Sequence, residues 1–72
     1  MELLEIINTV LRNRGHKEIE SLTDELHLRN DIGFESLDLA ELTARIEAEF
    51  DVDIFEDGIV NTIGEINAKI GK

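Results

Sequence analysis

The chain has no cysteine, proline, tryptophan or tyrosine, and only seven basic residues among its 72. Without cysteine there is no disulfide and no thiolate metal site, so nothing covalent supplements the core. A domain this small buries only about 60% of the surface its unfolded chain exposes, which keeps stability modest. Apolar residues never run beyond two in a row, as at Leu3-Leu4 and Ile6-Ile7. That is far short of the ~20 needed to cross a bilayer. The opening Met1-Glu2-Leu3-Leu4-Glu5 is acidic where a signal peptide is basic, and no cleavage pattern follows. These absences predict one domain over residues 1–72, monomeric, cytoplasmic and without membrane insertion.

Acidic residues are plentiful: seventeen Asp and Glu give a formal charge of −10. Such a field repels nucleic acid and anionic membrane, and it attracts basic protein surfaces. Excess acid also keeps small domains soluble, so the sign excludes partners without naming one.

Residues 2–14 read as an amphipathic helix with Leu3, Ile6, Ile7, Val10 and Leu11 on one stripe. Basic residues in its last turn, followed by Gly15, form a stop signal. Helical period is lost over residues 15–35, where Ile19, Leu22, Leu26, Leu28 and Ile32 are irregularly spaced. This is a long loop pinned to the core, with Leu28 as one pin and a short turn near 21–26; loops of that length are often functional. A second helix spans Ser36 to Phe50, with Leu39, Leu42, Ile46 and Phe50 as its inward stripe. A short third helix is expected near Glu56 to Asn61, although Gly58 costs it about 1 kcal/mol against Ala. Thr62-Ile63-Gly64-Glu65 is a capping-box pattern that opens a last helix through Ile66 and Ile70. The fold class is therefore all-α: a small four-helix bundle with a long first loop and a short third helix.

Ser36 sits where the irregular loop meets the second helix, in Gly33-Phe34-Glu35-Ser36-Leu37-Asp38. The amides and dipole of a helix start favour nearby negative charge, a phosphate ester included. Taken alone, Ser36 is equally an ordinary capping serine.

Its surroundings add to this. The stretch from Leu28 to Leu42, with Ile32-Gly33-Phe34-Glu35-Ser36-Leu37-Asp38 at its centre, resembles the phosphopantetheine attachment region of acyl carrier proteins. Glu41-Leu42, Glu47-Ala48-Glu49-Phe50, Asp51-Val52-Asp53-Ile54 and Thr62-Ile63-Gly64-Glu65-Ile66 also match family landmarks, so the resemblance covers nearly the whole chain.

The resemblance implies a carrier rather than an enzyme. A phosphopantetheinyl transferase, using coenzyme A and magnesium, would attach 4′-phosphopantetheine to Ser36, and the arm's thiol would hold acyl cargo as a thioester. A chain without cysteine thereby takes part in thiol chemistry. The resemblance also implies that Glu35, Leu37, Asp38, Glu41, Ala44, Arg45 and Ala48 form a docking face for acyl-transferring or acyl-activating enzymes with basic surfaces. By position, Leu42, Ile46, Ile54, Ile59 and Ile63 would line an acyl groove between the second and third helices; simple packing also accounts for each. Two departures stand out: Glu35 replaces the family's usual Asp before the serine, and Phe55 stands where many relatives have proline. The first bears on transferase choice. Arg45 interrupts an acidic surface and is a candidate selector of partners.

Other chemistries fit the residues less well. A calcium loop starting at Asp51 has Glu56 where glycine is needed, and one starting at Asp53 ends on Gly64 instead of glutamate. A hydrolase built from Ser36 with His16 or His27 lacks the Gly-x-Ser-x-Gly elbow. A peptidyl or aminoacyl carrier stays open, as does an unmodified acidic adaptor; the strong acidity of so short a chain leans towards a discrete acyl carrier for fatty-acid or specialised acyl biosynthesis.

The charge excess has a direct consequence. Self-repulsion should weaken the fold at low salt, so Tm is expected to rise with ionic strength; a Tm that stays flat would contradict this.

Overall fold

Amphipathic period decides where the long helices form. The computed structural model describes residues 2–56 and 58–71; Met1, Asp57 and Lys72 lie outside the described residues. Helix α1 is Leu3–Asn13, α2 is Ser36–Phe50 and α3 is Ile63–Ile70, with one π-helical turn at Leu28–Ile32 between α1 and α2. The structure is thus a helical bundle of four elements, and no strand forms among the described residues.

Helix α1 buries Leu3, Ile6, Ile7, Val10 and Leu11 and packs against α2. At its end the Gly15 amide donates to the Arg12 carbonyl and the His16 amide to that of Leu11. These bonds satisfy carbonyls that the helix leaves without partners. Helix α2 buries Leu42 and Ile46 completely, with Leu39 and Phe50 half-buried beside them. Helix α3 starts on the expected box: Thr62 Oγ1 accepts from the Glu65 amide, and Glu65 Oε1 accepts from the Thr62 amide.

The long first loop is more ordered than its irregular spacing suggests. Asn8 Nδ2 donates to the Ile19 carbonyl at 2.9 Å, and Asn8 Oδ1 accepts from the Ile19 amide at 2.8 Å. A side-chain amide here does what a neighbouring strand would do for a backbone. Further along, the loop is stapled to the start of α3. The Ile63 amide donates to the Leu26 carbonyl at 3.0 Å, the Leu28 amide to Asn61 at 2.8 Å and the Gly64 amide to Asp24 at 3.0 Å. A Cβ at residue 64 would lie 3.1 Å from both Cβ and the carbonyl oxygen of Asp24, so glycine permits this approach. Leu28 is fully buried, as its assigned role as a pin requires.

Two expectations need correction. The short third helix near 56–61 is absent from the described part of that span; Asp57 lies outside it. Asp53 organises a turn instead, its Oδ1 accepting from the Phe55 amide and its carbonyl from that of Glu56. Gly58 has φ +131°, a conformation incompatible with a helix. Ile59 is then exposed and Val60 buried, the alternation of extended chain.

The second correction concerns Asp38, expected on the outward docking face. It is fully buried, on the same stripe as Leu42 and Ile46 at successive four-residue steps. Its Oδ2 accepts from the Glu35 amide at 2.9 Å, capping α2, and its Oδ1 pairs with Arg14 Nε at 2.7 Å. Among the described residues no hydrogen-bond donor is aimed squarely at Oδ1, so the Arg14 contact neutralises that oxygen by charge. The pair ties the end of α1 to the start of α2.

Removing either partner tests that tie. Arg14→Ala leaves a buried carboxylate unpaired and is expected to cost about 2 kcal/mol, with the exposure of Arg14 holding the loss below that of a fully buried pair. Asp38→Ala removes the cap as well and is expected to cost about 3 kcal/mol. Urea midpoints indistinguishable from wild type in either variant would show that the pair does not hold the two helices.

Candidate functional site

The site is built where the braced loop enters α2. Glu35 is extended at φ −103° and ψ −179°, and α2 begins at Ser36. The first intrahelical bond is from the Leu39 amide to the Glu35 carbonyl at 2.9 Å, so the amides of Ser36 and Leu37 have no acceptor within the helix, while that of Asp38 donates to the Glu35 side chain. Those amides and the helix dipole make this end favourable for an anion. Ser36 is exposed, and Arg29 Nη2 lies 3.5 Å from its Oγ. The hydroxyl is thus accessible, at a positive helix end and beside a cation. These features fit a phosphodiester on Ser36.

A surface groove of about 550 Å³ opens beside Ser36 and is lined by Arg29, Ser36, Leu39, Ala40, Thr43, Asp53 and Phe55. This surface groove is separate from the residues expected to line an acyl groove. Leu42, Ile46, Ile54 and Ile63 are fully buried in the core, and Ile59 is 80% exposed outside the groove. Helical phase gives the reason. Positions 42 and 46 share the buried face with Asp38, whereas 39, 40 and 43 follow Ser36 at steps of three, four and seven and share its stripe. Counting helical steps from Ser36 would have found them. Arg29 and Asp53 are brought in by the loops, and no local pattern marks them. Phe34, expected near the attachment site, is buried one residue before Glu35.

The outward face keeps most of its expected members. Glu35, Ala44 and Ala48 are exposed, and Leu37 is 69% exposed despite its apolar side chain. Glu41 and Arg45 are half-buried and bound to each other: Arg45 Nε donates to Glu41 Oε2 at 2.9 Å. Asn13 Nδ2 donates to the same oxygen at 3.0 Å, linking α1 to this face. The Asn13 bond, with Arg45 next, holds the Glu41 carboxyl below its ordinary pKa. Among the described residues no cluster of His, Asp and Glu could hold a metal ion, and no helix is long and apolar enough to cross a membrane.

With this geometry in place, comparison with known proteins adds one match. A family model described as "Phosphopantetheine attachment site" covers residues 2–68. No solved structure matches the chain.

The bonds to Glu41 predict a pH dependence. Because its folded pKa is depressed, their contribution is complete above the unfolded value of about 4.3 and is lost as pH falls through the lower folded value. Glu41→Gln is expected to be about 0.5 kcal/mol less stable than wild type at pH 7, a value already reduced by solvent screening. The two stabilities should begin to converge as pH falls below the unfolded value and meet once it is under the lowered folded pKa. A gap that stays constant with pH would rule out the charged form of Glu41 as its source.

Proposed function

The chain belongs to the phosphopantetheine attachment-site family, and on that premise we propose that it is an acyl carrier whose Ser36 hydroxyl takes the 4′-phosphopantetheine arm. The observation that carries the assignment is the exposed Ser36 at the first position of α2, between the helix-start amides and the Arg29 guanidinium. In the loading step Oγ of Ser36 forms the new phosphorus–oxygen bond as coenzyme A loses adenosine bisphosphate. The serine proton passes to a base on the transferase. Once attached, the arm supplies a thiol that holds acyl cargo as a thioester.

The chain's own residues present that arm; catalysis belongs to partner enzymes. Asp38 holds the Glu35 amide, which sets the direction in which Ser36 leaves the helix. Leu37, one residue on, is a large apolar side chain in an acidic surface and serves as the docking anchor. Glu35, Ala44 and Ala48 extend the face, while the Glu41–Arg45 pair gives it a mixed-charge patch. Partners would be a phosphopantetheinyl transferase and acyl-transferring or acyl-activating enzymes with basic surfaces, drawn by the charge of −10. Asp38 is buried and takes no part in docking.

Intact mass before and after incubation with coenzyme A, magnesium and a broad-specificity transferase tests the assignment. Wild type is expected to gain one phosphopantetheinyl group and Ser36→Ala none, with helicity equal in both. Modification persisting in Ser36→Ala would move the site. If wild type gains nothing, Glu35→Asp decides: modification of that variant identifies Glu35 as a barrier to the general transferase, and continued silence refutes the carrier.

A further inference from the structure

Arg29 is not explained by the fold. It is exposed, and among the described residues it makes no ion pair with a carboxylate. Other arginines are committed: Arg12 to Glu18, Arg14 to Asp38 and Arg45 to Glu41. An unpaired guanidinium in so acidic a protein is conspicuous, and its Nη2 lies 3.5 Å from Ser36 Oγ.

Arg29 is also firmly presented. It stands in the π-helical turn, whose ends are tied at several points. The His27 carbonyl accepts from the amides of Asp31 and Ile32, both at 3.0 Å, and Asp31 Oδ2 accepts from the His27 amide at 2.7 Å. The Phe34 amide donates to the Leu28 carbonyl at 2.9 Å, and the neighbouring Leu28 side chain is fully buried. Such π turns are uncommon and concentrate at functional sites. Here the turn holds the backbone of Arg29 fixed beside Ser36 and at one wall of the groove.

The rest of the groove offers little polar chemistry. Leu39, Ala40 and Phe55 are apolar there; Thr43 Oγ1 already donates to the Leu39 carbonyl at 2.8 Å, and Asp53 Oδ1 already accepts from the Phe55 amide at 3.0 Å. An anion near Ser36 would meet repulsion from Glu35 and Asp53, with Asp38 already neutralised by Arg14. Arg29 is the cation available to offset it, and its planar fork suits two phosphate oxygens at once.

We propose that Arg29 is a positioning residue that binds the phosphodiester at Ser36 and so lays the first part of the arm along the groove floored by Leu39, Ala40 and Thr43. This rests on Ser36 being the attachment site. A guanidinium 3.5 Å from Oγ is a loose contact for a hydroxyl, but non-bridging oxygens on an attached phosphorus extend beyond Oγ and come within reach of its donors. The arm would then have a preferred direction from its root, instead of projecting freely into solvent.

Phosphorus and proton NMR on the loaded protein test this without any enzymatic readout. Loaded wild type should show nuclear Overhauser contacts from the pantetheine methyls to Leu39, Ala40 and Thr43. In loaded Arg29→Gln the phosphorus resonance should move by more than its linewidth and those contacts should lose most of their intensity. Arg29→Lys, which keeps charge but not the fork, should fall between. An unchanged phosphorus shift and unchanged contacts in Arg29→Gln would overturn the role of Arg29 alone. A wild type that gains no mass at Ser36 would overturn the attachment site and this inference together. If Arg29→Gln resists loading, raising ionic strength on loaded wild type decides: contacts that fade support the ion pair, and contacts indifferent to salt refute it.

Discussion

At Asp38 one fully buried carboxylate receives the Glu35 amide on one oxygen, at 2.9 Å, and the Arg14 guanidinium against the other, at 2.7 Å. A buried charge is tolerated only where its partners are in place, because the cost of leaving water is large. The positions of Arg14 at the end of α1 and Glu35 just before α2 are therefore coupled. Ser36 follows Glu35 directly, so the exit angle of the candidate attachment residue is coupled to the packing of α1 against α2. The departure at Glu35 also becomes intelligible. The cap at this helix start is reciprocal: Asp38 reaches back to the Glu35 amide, and the Glu35 side chain accepts from the Asp38 amide, a bond the longer carboxylate still makes.

Around that fixed point α2 presents three stripes with different tasks. Asp38, Leu42 and Ile46 are buried and hold the helix in the bundle. Ser36, Leu39, Ala40 and Thr43 face the groove. Leu37, Ala44 and Ala48 face outward, with the Glu41–Arg45 pair among them. A helix of fifteen residues can serve all three because its side chains repeat every 3.6 positions. Attachment, arm guidance and docking thus share one element but do not compete for the same side chains. The loops supply what α2 cannot: a cation from the π turn and a groove wall from the turn at Asp53 and Phe55.

Much of this was legible in the residues. The extents of α1 and α2, the capping box at Thr62, the stop after Arg14 and the buried role of Leu28 follow from local periodicity and cap chemistry. Such signals are local and depend on a few neighbours. The attachment region was recognisable from its motif, and the family match over residues 2–68 agrees with it. The failures share a cause. Local composition points to a short helix at 56–61, and the segment instead turns at Asp53 and runs extended past Gly58. Asp38 lies at the edge of the outward stripe and in phase with Leu42 and Ile46, and a carboxylate is read as a surface residue until its partner is known.

The sequence by itself determined the helices at 3–13, 36–50 and 63–70, the capping box at Thr62, the acidic field and the serine at a helix start, because each depends on residues within about a turn of one another. The tertiary structure decided what lies opposite those elements. It brought Arg14 to Asp38 across 24 positions, Asn13 to Glu41 across 28 and Asn8 to Ile19 across 11. It also folded the 24–28 segment onto 61–64 and placed Arg29 beside Ser36. Contacts of that kind depend on how the chain closes its loops around a shared core. Closure is set by the packing of all the buried side chains together, and no single local pattern encodes it.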